Sequence, residues 1–423
     1  MDHFDIVFAL AGSALDADNS RVLQQVERLR VALETSDKEQ AAKLARLLSR
    51  SSRRQTMAPM AFEEMRASAD AVRRRLPGEV LSRSVPLPHD KETGAPLVRV
   101  RFPEDGPVEA PILATQLAAA IEDLLTEWRH ADELVRVGAK PHTRCLIFGA
   151  PGVGKTRLAR YLAYKLELPL VEARLDGLVS SFLGTTARNI GALFDFANRY
   201  RCALFLDEFD AIAKARDDAQ EVGEIKRVVN SLLQSLDARG SGGLTLAATN
   251  HEHLLDSAVW RRFEARIEIP KPNDAARREM LTHFVKPLRL TGVQREFLVW
   301  ATEGMSGADI EALVASGKRF LVLHGETISA AGEKNETSQT KDGRKIIAAL
   351  RQQAALNARL FDKQRQSVLA ASDEEIMAAL EDVGIAQIDV ADLFGVNQST
   401  VSRLWAQSRK RRRVTSLESA ADD

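Results

Sequence analysis

The sequence predicts an α/β fold, a parallel β-sheet with helices on both faces, to which an all-α lid, an N-terminal helical region and a C-terminal helix-turn-helix are attached. Between residues 112 and 270, short β-rich apolar runs (Cys145–Gly149, Leu168–Ala173, Ala203–Glu208 and Leu244–Asn250) alternate with helical periodicity, the pattern of strands joined by crossover helices. After Pro270 and Pro272 the β-rich runs stop and only helical spacing remains. At 423 residues the chain exceeds what one core accommodates, so several units joined by linkers are expected.

In chain order, residues 1–76 read as a helical region, because Val22, Val26, Leu29 and Leu33 recur at helical spacing and Leu44, Leu47 and Leu48 repeat it. That stripe is a packing face, since no ligand-type residues converge on it. Residues 77–111 hold seven of the fourteen prolines and read as an extended linker, with one strand drawn at 97–102. Residues 112–270 make the α/β core, and 271–324 the lid, with helices at 274–286, 292–303 and 307–323. In 325–371 a polar, glycine-containing mobile loop leads into a connecting helix at 343–366. Residues 372–413 carry the helix-turn-helix and a basic tail, and 414–423 an acidic, disordered end.

Apolar residues make up 45% and charged residues 28%, a globular composition. No apolar run approaches the ~20 residues that cross a bilayer, so no membrane association is expected. The N-terminus has acids where a secretory signal carries basic residues, which makes the cytoplasm the default location. The formal net charge is zero, so any nucleic-acid contact has to be local. Cys145 and Cys202, the only cysteines, each abut an apolar run and read as buried thiols.

Gly149-Ala-Pro-Gly-Val-Gly-Lys155-Thr156 fits G-x-x-x-x-G-K-[ST], between an apolar strand and a helical run, where the phosphate-loop mechanism requires it. Backbone N–H groups of such a loop wrap phosphates, the following helix N-terminus adds a favourable dipole, the lysine reaches the β- and γ-phosphates and the threonine hydroxyl ligates Mg²⁺. Gly149, Pro151, Gly152, Val153, Gly154, Lys155, Thr156 and Arg157 are the expected nucleotide contacts. Ala203–Leu206 then delivers Asp207 and Glu208 at the end of a buried strand. Asp207 is placed to hold Mg²⁺ through water, and Glu208 to orient and deprotonate the attacking water. The expected cofactors are therefore ATP and Mg²⁺, on a P-loop NTPase sheet.

These residues resemble the AAA+ ATPases over about residues 112–323. The resemblance implies that Asn250, at the end of Leu-Ala-Ala-Thr-Asn, is the sensor that helps position the lytic water. It implies that Arg261 and Arg262 are arginine fingers reaching the γ-phosphate of a neighbouring subunit, hence a homo-oligomer, a hexamer in this family. Met305-Ser-Gly307-Ala308-Asp-Ile is similar to the start of the lid helix in the narrower AAA clade, where Gly307 and Ala308 let the backbone approach the nucleotide. The arginine that other clades carry there is missing, which leaves Lys318 without a role.

Phe182-Leu183-Gly184 falls where AAA unfoldases carry an aromatic loop facing the ring's pore, which implies a protein substrate gripped by Phe182. Residues 214–223 are open to two readings, a second pore loop or a solvated connection. The chain also looks like bacterial AAA ATPases encoded beside subtilisin-family proteases, so a subtilisin-like protease is an implied partner.

Residues 387–405 carry helix-turn-helix constraints in register, with Ala391 as the small interhelical contact, Gly395 at the turn and Val401 as an apolar seat. Val390, Phe394, Val396 and Leu404 complete the inner side. Gln398, Ser399, Thr400 and Arg403 then face outward on the reader helix, and Arg409, Lys410 and Arg411 begin a basic run that neutralises phosphates. Duplex DNA is the ligand this pattern implies, and a helical interaction module is the other reading it leaves open. The expected function is a ring-forming ATPase that remodels or unfolds protein through a pore and is recruited to DNA. The alternative is a DNA-transaction ATPase, in transposition, replication or anti-phage defence.

Overall fold

The computed structural model describes residues 78–174, 183–213, 222–239, 243–288, 290–324, 343–382 and 384–419. The N-terminal helical region, Phe182, most of the 214–223 segment, the 325–342 loop and the extreme C-terminus lie outside them.

Six strands form the sheet: β1 (Val98–Arg101), β2 (Arg144–Phe148), β3 (Leu170–Ala173), β4 (Ala203–Leu206), β5 (Thr245–Thr249) and β6 (Ala265–Glu268). Their order is β1-β3-β4-β5-β2-β6. β3, β4, β5, β2 and β6 are mutually parallel, and β1 adds an antiparallel edge. The helices between them are α1 (Thr115–Arg129), α2 (Ala131–Arg136), α3 (Lys155–Lys165), α4 (Leu183–Arg199), α5 (Asp210–Ala213), α6 (Val222–Arg239) and α7 (Ser257–Trp260).

Strand alternation divides the apolar side chains between two faces. Cys145, Ile147, Ala203, Phe205, Leu246 and Ala248 pack with Leu125 of α1 and Leu158 and Leu162 of α3. Leu146, Leu204, Leu206 and Ala247 face the other way, against Ile190 and Phe194 of α4 and Leu232 and Leu236 of α6. Both cysteines are free and fully buried, and burial pushes the Cys145 thiol up to about 12.

The proline-rich segment does more than link. Leu81, Leu97 and Val98 are buried in the core beneath α4, and β1 pairs with β3 along its whole length. Proline limits helix length but leaves an edge strand open, which is where Leu97-Val-Arg-Val sits.

After β6 the chain is helical: α8 (Asp274–Phe284), α9 (Gly292–Ala301), α10 (Gly307–Leu323), α11 (Gly343–Leu356), α12 (Lys363–Ala370), α13 (Asp373–Ala379), α14 (Gln387–Phe394) and α15 (Gln398–Ser419). Side-chain caps start five of them: Asn273 accepts from Ala276 N, Thr291/Gln294 and Ser306/Asp309 form capping boxes, and Asp362 and Ser372 accept from Arg365 N and Glu375 N. The expected split into lid, connector and terminal module does not appear as separate cores. Met280, Phe297, Ile310, Leu350, Leu369, Ile376, Val390, Phe394 and Val401 belong to one continuous apolar cluster. Helical periodicity identifies an apolar face but not the face it meets, so α11, expected as a connector, packs against α10 within the lid.

Between the sheet and α6 lies a buried cation. Arg239 is 3% exposed and donates to Thr245 Oγ1 (3.0 Å), Cys202 O (3.1 Å), Leu244 O (3.3 Å) and Asn198 Oδ1 (3.2 Å), all of them neutral. Removing a donor from buried acceptors exposes their desolvation cost. Arg239→Met is therefore expected to lower unfolding free energy by about 2–3 kcal/mol in urea titrations, whereas exposed Arg136→Met stays within about 0.5 kcal/mol.

Candidate active site

The phosphate loop leaves the end of β2 and enters α3 through three glycines in conformations that favour glycine: Gly149 (φ 141°), Gly152 (φ 76°) and Gly154 (φ 105°). Two of them also lack room for a side chain. A Cβ on Gly149 would lie 2.3 Å from Ile269 O, and one on Gly152 would lie 2.6 Å from Ser306 Oγ and 2.9 Å from the Ala308 Cβ. The same approach lets Ala308 N donate to Gly152 O at 3.0 Å, which docks the start of α10 on the loop.

Lys155, the first residue of α3, is 7% exposed. Its ammonium donates to Gly149 O (2.7 Å), Ala150 O (2.8 Å) and Asn250 Oδ1 (2.5 Å), so all three protons are taken. Burial holds its pKa below the usual lysine range, opposed by Asp207, Glu252 and Asp210. Thr156 Oγ1 donates to Asp207 Oδ2 at 2.7 Å, and Asp207 Oδ1 accepts from Glu208 N at 3.0 Å. Glu208 is exposed and has φ 47°, a left-handed conformation rare outside glycine. Asp210, two residues on, accepts from Thr249 Oγ1 at 2.6 Å and ties the turn after β4 to the end of β5.

These groups open onto a cavity of about 920 Å³, of the size that takes a small-molecule ligand. Pro151, Gly152, Val153, Gly154, Lys155, Thr156, Arg157, Asp207, Glu208, Asn250, Gly307 and Ala308 all line it. Thr156 and Asp207 offer adjacent hard oxygens, the donor set of a Mg²⁺ that keeps several waters. Pro111, Ile112, Met280 and Phe284 supply apolar wall, and Arg160 and Glu311 further charge. Sequence reasoning missed these six: Pro111 and Ile112, between β1 and α1, and Met280, Phe284 and Glu311 of two lid helices reach the site only through the tertiary fold, while Arg160 lies on α3 one turn beyond Thr156 and Arg157. Ser306 alone had a local signal, the S-x-x-D of a capping box.

Arg261 and Arg262 do not line the cavity. Arg261, the C-cap of α7, is exposed, while Arg262 Nε lies 2.7 Å from Asp237 Oδ1, close but off the line of its N–H. Leu183 and Gly184 open α4, and their side chains lie outside the described set, as does Phe182. At the C-terminus Gln398, Ser399, Arg403, Arg409 and Lys410 are exposed and Thr400 half-buried; Arg409 pairs with Glu381, and the Arg411 side chain is outside the described set.

A parallel sheet whose strand β2 feeds a glycine loop, lysine and threonine, with a carboxylate pair at the end of β4, on the far side of β5, defines a P-loop nucleoside triphosphatase. Residues 145–271 match the family described as "ATPase family associated with various cellular activities (AAA)". The chain is 37% identical over 249 residues to "Uncharacterized AAA family ATPase y4kL" of Sinorhizobium fredii, covering 58% of this chain and 73% of that one. It is 34% identical over 230 residues to "Proteasome-activating nucleotidase" of Thermococcus onnurineus, covering 51% and 58% respectively. It is 33% identical over 222 residues to "ATP-dependent zinc metalloprotease FtsH" of Aquifex aeolicus, covering 49% and 35%. Among solved structures it matches the FIGL-1 AAA domain with a TM-score of 0.49 and 23% identity, over 66% of this chain and 92% of that one. The chain belongs to the AAA family of ATPases and is an ATP-hydrolysing enzyme. It spans little more than half of the nucleotidase and about a third of the metalloprotease.

Gly152→Ala combines backbone strain with collision against Ser306 and Ala308. A strain of about 1–3 kcal/mol corresponds to roughly 5–150-fold weaker binding of a fluorescent ATP analogue, with far-ultraviolet dichroism unchanged. Unaltered affinity would mean that the lid gives way at no cost.

Proposed function

We propose that the protein assembles as a hexameric ring that couples ATP hydrolysis to remodelling or unfolding of a protein drawn through a central pore. The observation that carries this reading is the position of Arg261: exposed, and outside the cavity of its own subunit, it is free to complete a neighbour's site. The likeness to a proteasome-activating nucleotidase and an ATP-dependent metalloprotease supports a protein client.

In this mechanism Lys155 and the loop N–H groups hold the β- and γ-phosphates. Thr156 and Asp207 would hold Mg²⁺, which neutralises charge developing on the transferred phosphoryl group. Glu208 takes the proton of the attacking water, Asn250 orients that water, and the partner's Arg261 and Arg262 stabilise the transition state. Phe182, Leu183 and Gly184 are the proposed gripping loop, the cytoplasm the proposed location, and a subtilisin-like protease a proposed partner.

Two substitutions separate the roles. Glu208→Gln is expected to bind ATP while kcat falls by about 100-fold or more, in the range lost with a general base. Arg261→Ala is expected to be similarly slow alone, and mixing it with Glu208→Gln subunits should restore turnover, since each supplies what the other lacks. A mixture no faster than its parts argues against a finger acting between subunits.

A second reading, recruitment to duplex DNA, is favoured by the geometry of α14 and α15. Gly395 at φ 61° ends α14; Val390, Ala391, Phe394 and Val401 are buried between the helices; and Gln398, Ser399 and Arg403 lie exposed together at the start of α15. Arg403→Ala is expected to weaken binding to a fluorescent duplex and to flatten its salt dependence by about one unit of slope. Equal binding by wild type and variant would remove this face from the DNA reading.

A further inference from the structure

The contacts between the nucleotide site and the C-terminal helices form an unbroken chain. It begins where Ala308 N, at the start of α10, donates to Gly152 O of the phosphate loop, with no room between them for a side chain. α10 packs along α11, and two arginines of α11 then hold the helices beyond it. Arg344 Nε donates to Phe394 O at 2.7 Å and its Nη2 to Gly395 O at 3.3 Å, the carbonyls that end α14. Arg351 donates to Leu369 O (3.1 Å) and Ala371 O (2.8 Å), which end α12, and pairs with Asp373 (2.8 Å), the first residue of α13. Arg365 of α12 reaches back to Trp300 O of α9 at 2.8 Å and ion-pairs with Glu303. Trp405 of α15 donates to Met377 O of α13 at 2.8 Å. Met280, Ile310, Leu350, Val390 and Val401 run through these helices as one apolar core.

An independent module would meet the lid through a polar, separable interface. Here helix ends that otherwise need water are capped by side chains of the lid, and sliding one past the other would orphan several carbonyls at once.

We propose that α8–α15 move as one body, so that the nucleotide held at Lys155 sets the position of the exposed α15 face carrying Gln398, Ser399 and Arg403, and through it the affinity for duplex DNA. The choice of ligand rests on the DNA reading above, whereas the mechanical coupling rests on the contacts alone. A change in the backbone at Gly152 is felt first by α10, and a body that cannot bend at α11 carries it to α15.

The test uses the full chain with pairs of spin labels. Both native cysteines are fully buried and leave introduced ones to react. Ala315→Cys with Gln407→Cys spans lid to α15, and Ala119→Cys with Gln407→Cys spans α1 to α15; all three positions are exposed. Expected are a narrow lid-to-α15 distance identical in ATP-bound Glu208→Gln and in the ADP state, and an α1-to-α15 distance that differs between them. Arg344→Gln with Arg351→Gln should broaden the first distance while affinity for a fluorescent ATP analogue stays unchanged.

In the same states the Kd for a short fluorescein-labelled duplex should differ by about fivefold or more, and the double arginine variant should shrink that difference below about twofold. A lid-to-α15 distance that follows the nucleotide, or an α1-to-α15 distance that ignores it, overturns the coupling. If the expected distances are found and no state binds duplex, the coupling stands and the DNA reading falls. Should the double variant fail to fold, the wild-type distances still decide.

Discussion

The rest of the molecule depends on the contact between Gly152 and the start of α10. Ala308 N meets Gly152 O at 3.0 Å, and Ser306 and Ala308 fill the space where any other residue at 152 would put its Cβ. The Ser306 capping box keeps that helix end in place: Asp309 accepts from both the backbone N–H and the hydroxyl of Ser306, which is 3% exposed. Because the lid is docked there, Met280 and Phe284 of α8 reach the cavity wall, and Pro111 and Ile112 can lie opposite a polar floor that the sheet alone provides. A phosphate loop with a bulkier residue at 152 could still cradle phosphate, but it would lose the apolar walls that confine the rest of a nucleotide.

The polar floor is already satisfied by the protein itself, which shapes the energetics of binding. Lys155 spends its three donors on two loop carbonyls and Asn250, and Thr156 spends its hydroxyl on Asp207. A polyphosphate therefore exchanges hydrogen bonds more than it adds them. For Lys155 the gain lies in replacing neutral carbonyl and amide acceptors by anionic oxygens, an ion pair in place of a charge–dipole contact. The exchange would also free Asn250 Oδ1 from Lys155, which in the proposed mechanism leaves that amide to the attacking water. Glu208 waits nearby in an αL backbone conformation, the kind of local cost that persists where surrounding structure holds it, here the Asp207 carboxylate on its N–H and the Asp210–Thr249 bond behind it.

What the sequence made legible is what short-range chemistry dictates. The glycine loop, Lys155, Thr156 and Asp207 could be assigned because each residue type has one job at a fixed spacing, and the strands because apolar runs buried on both faces are hard to mistake. The lid helices drawn from periodicity at 274–286, 292–303 and 307–323 begin where Asn273, Thr291 and Ser306 cap them. What escaped was pairing across distance. Nothing in Pro111-Ile112 says that it will face Met280, and the seven prolines of 77–111 read as a linker although Leu97 is wholly buried and β1 closes a sheet edge. Beyond residue 324 the same holds: periodicity showed apolar faces on the helices, and only packing shows that α11 to α15 share one core with α8 to α10.

The joint between lid and C-terminal helices is made mostly from arginine and backbone carbonyls, and that choice has consequences. Carbonyls at a helix end carry partial negative charge and would otherwise face water, so a guanidinium laid across them satisfies donor and acceptor together. The carbonyl acceptors are neutral, so these bonds depend less on salt than a pairing of opposite charges does, and Val390, Phe394 and Val401 back them with apolar surface, although Arg344 itself is exposed. The outer face of α15 is of the opposite kind, with Arg403, Arg409 and Lys410 exposed and Arg409 shared with Glu381. On the DNA reading, salt weakens the contacts of a polyanion with that face more than it weakens the bonds of Arg344 and Arg351 to neutral carbonyls. On that reading, release of a ligand and loss of the joint are separable events, and a body that stays whole while its surface contacts come and go is what the proposed nucleotide-driven lid would need in order to act on something held at its far end.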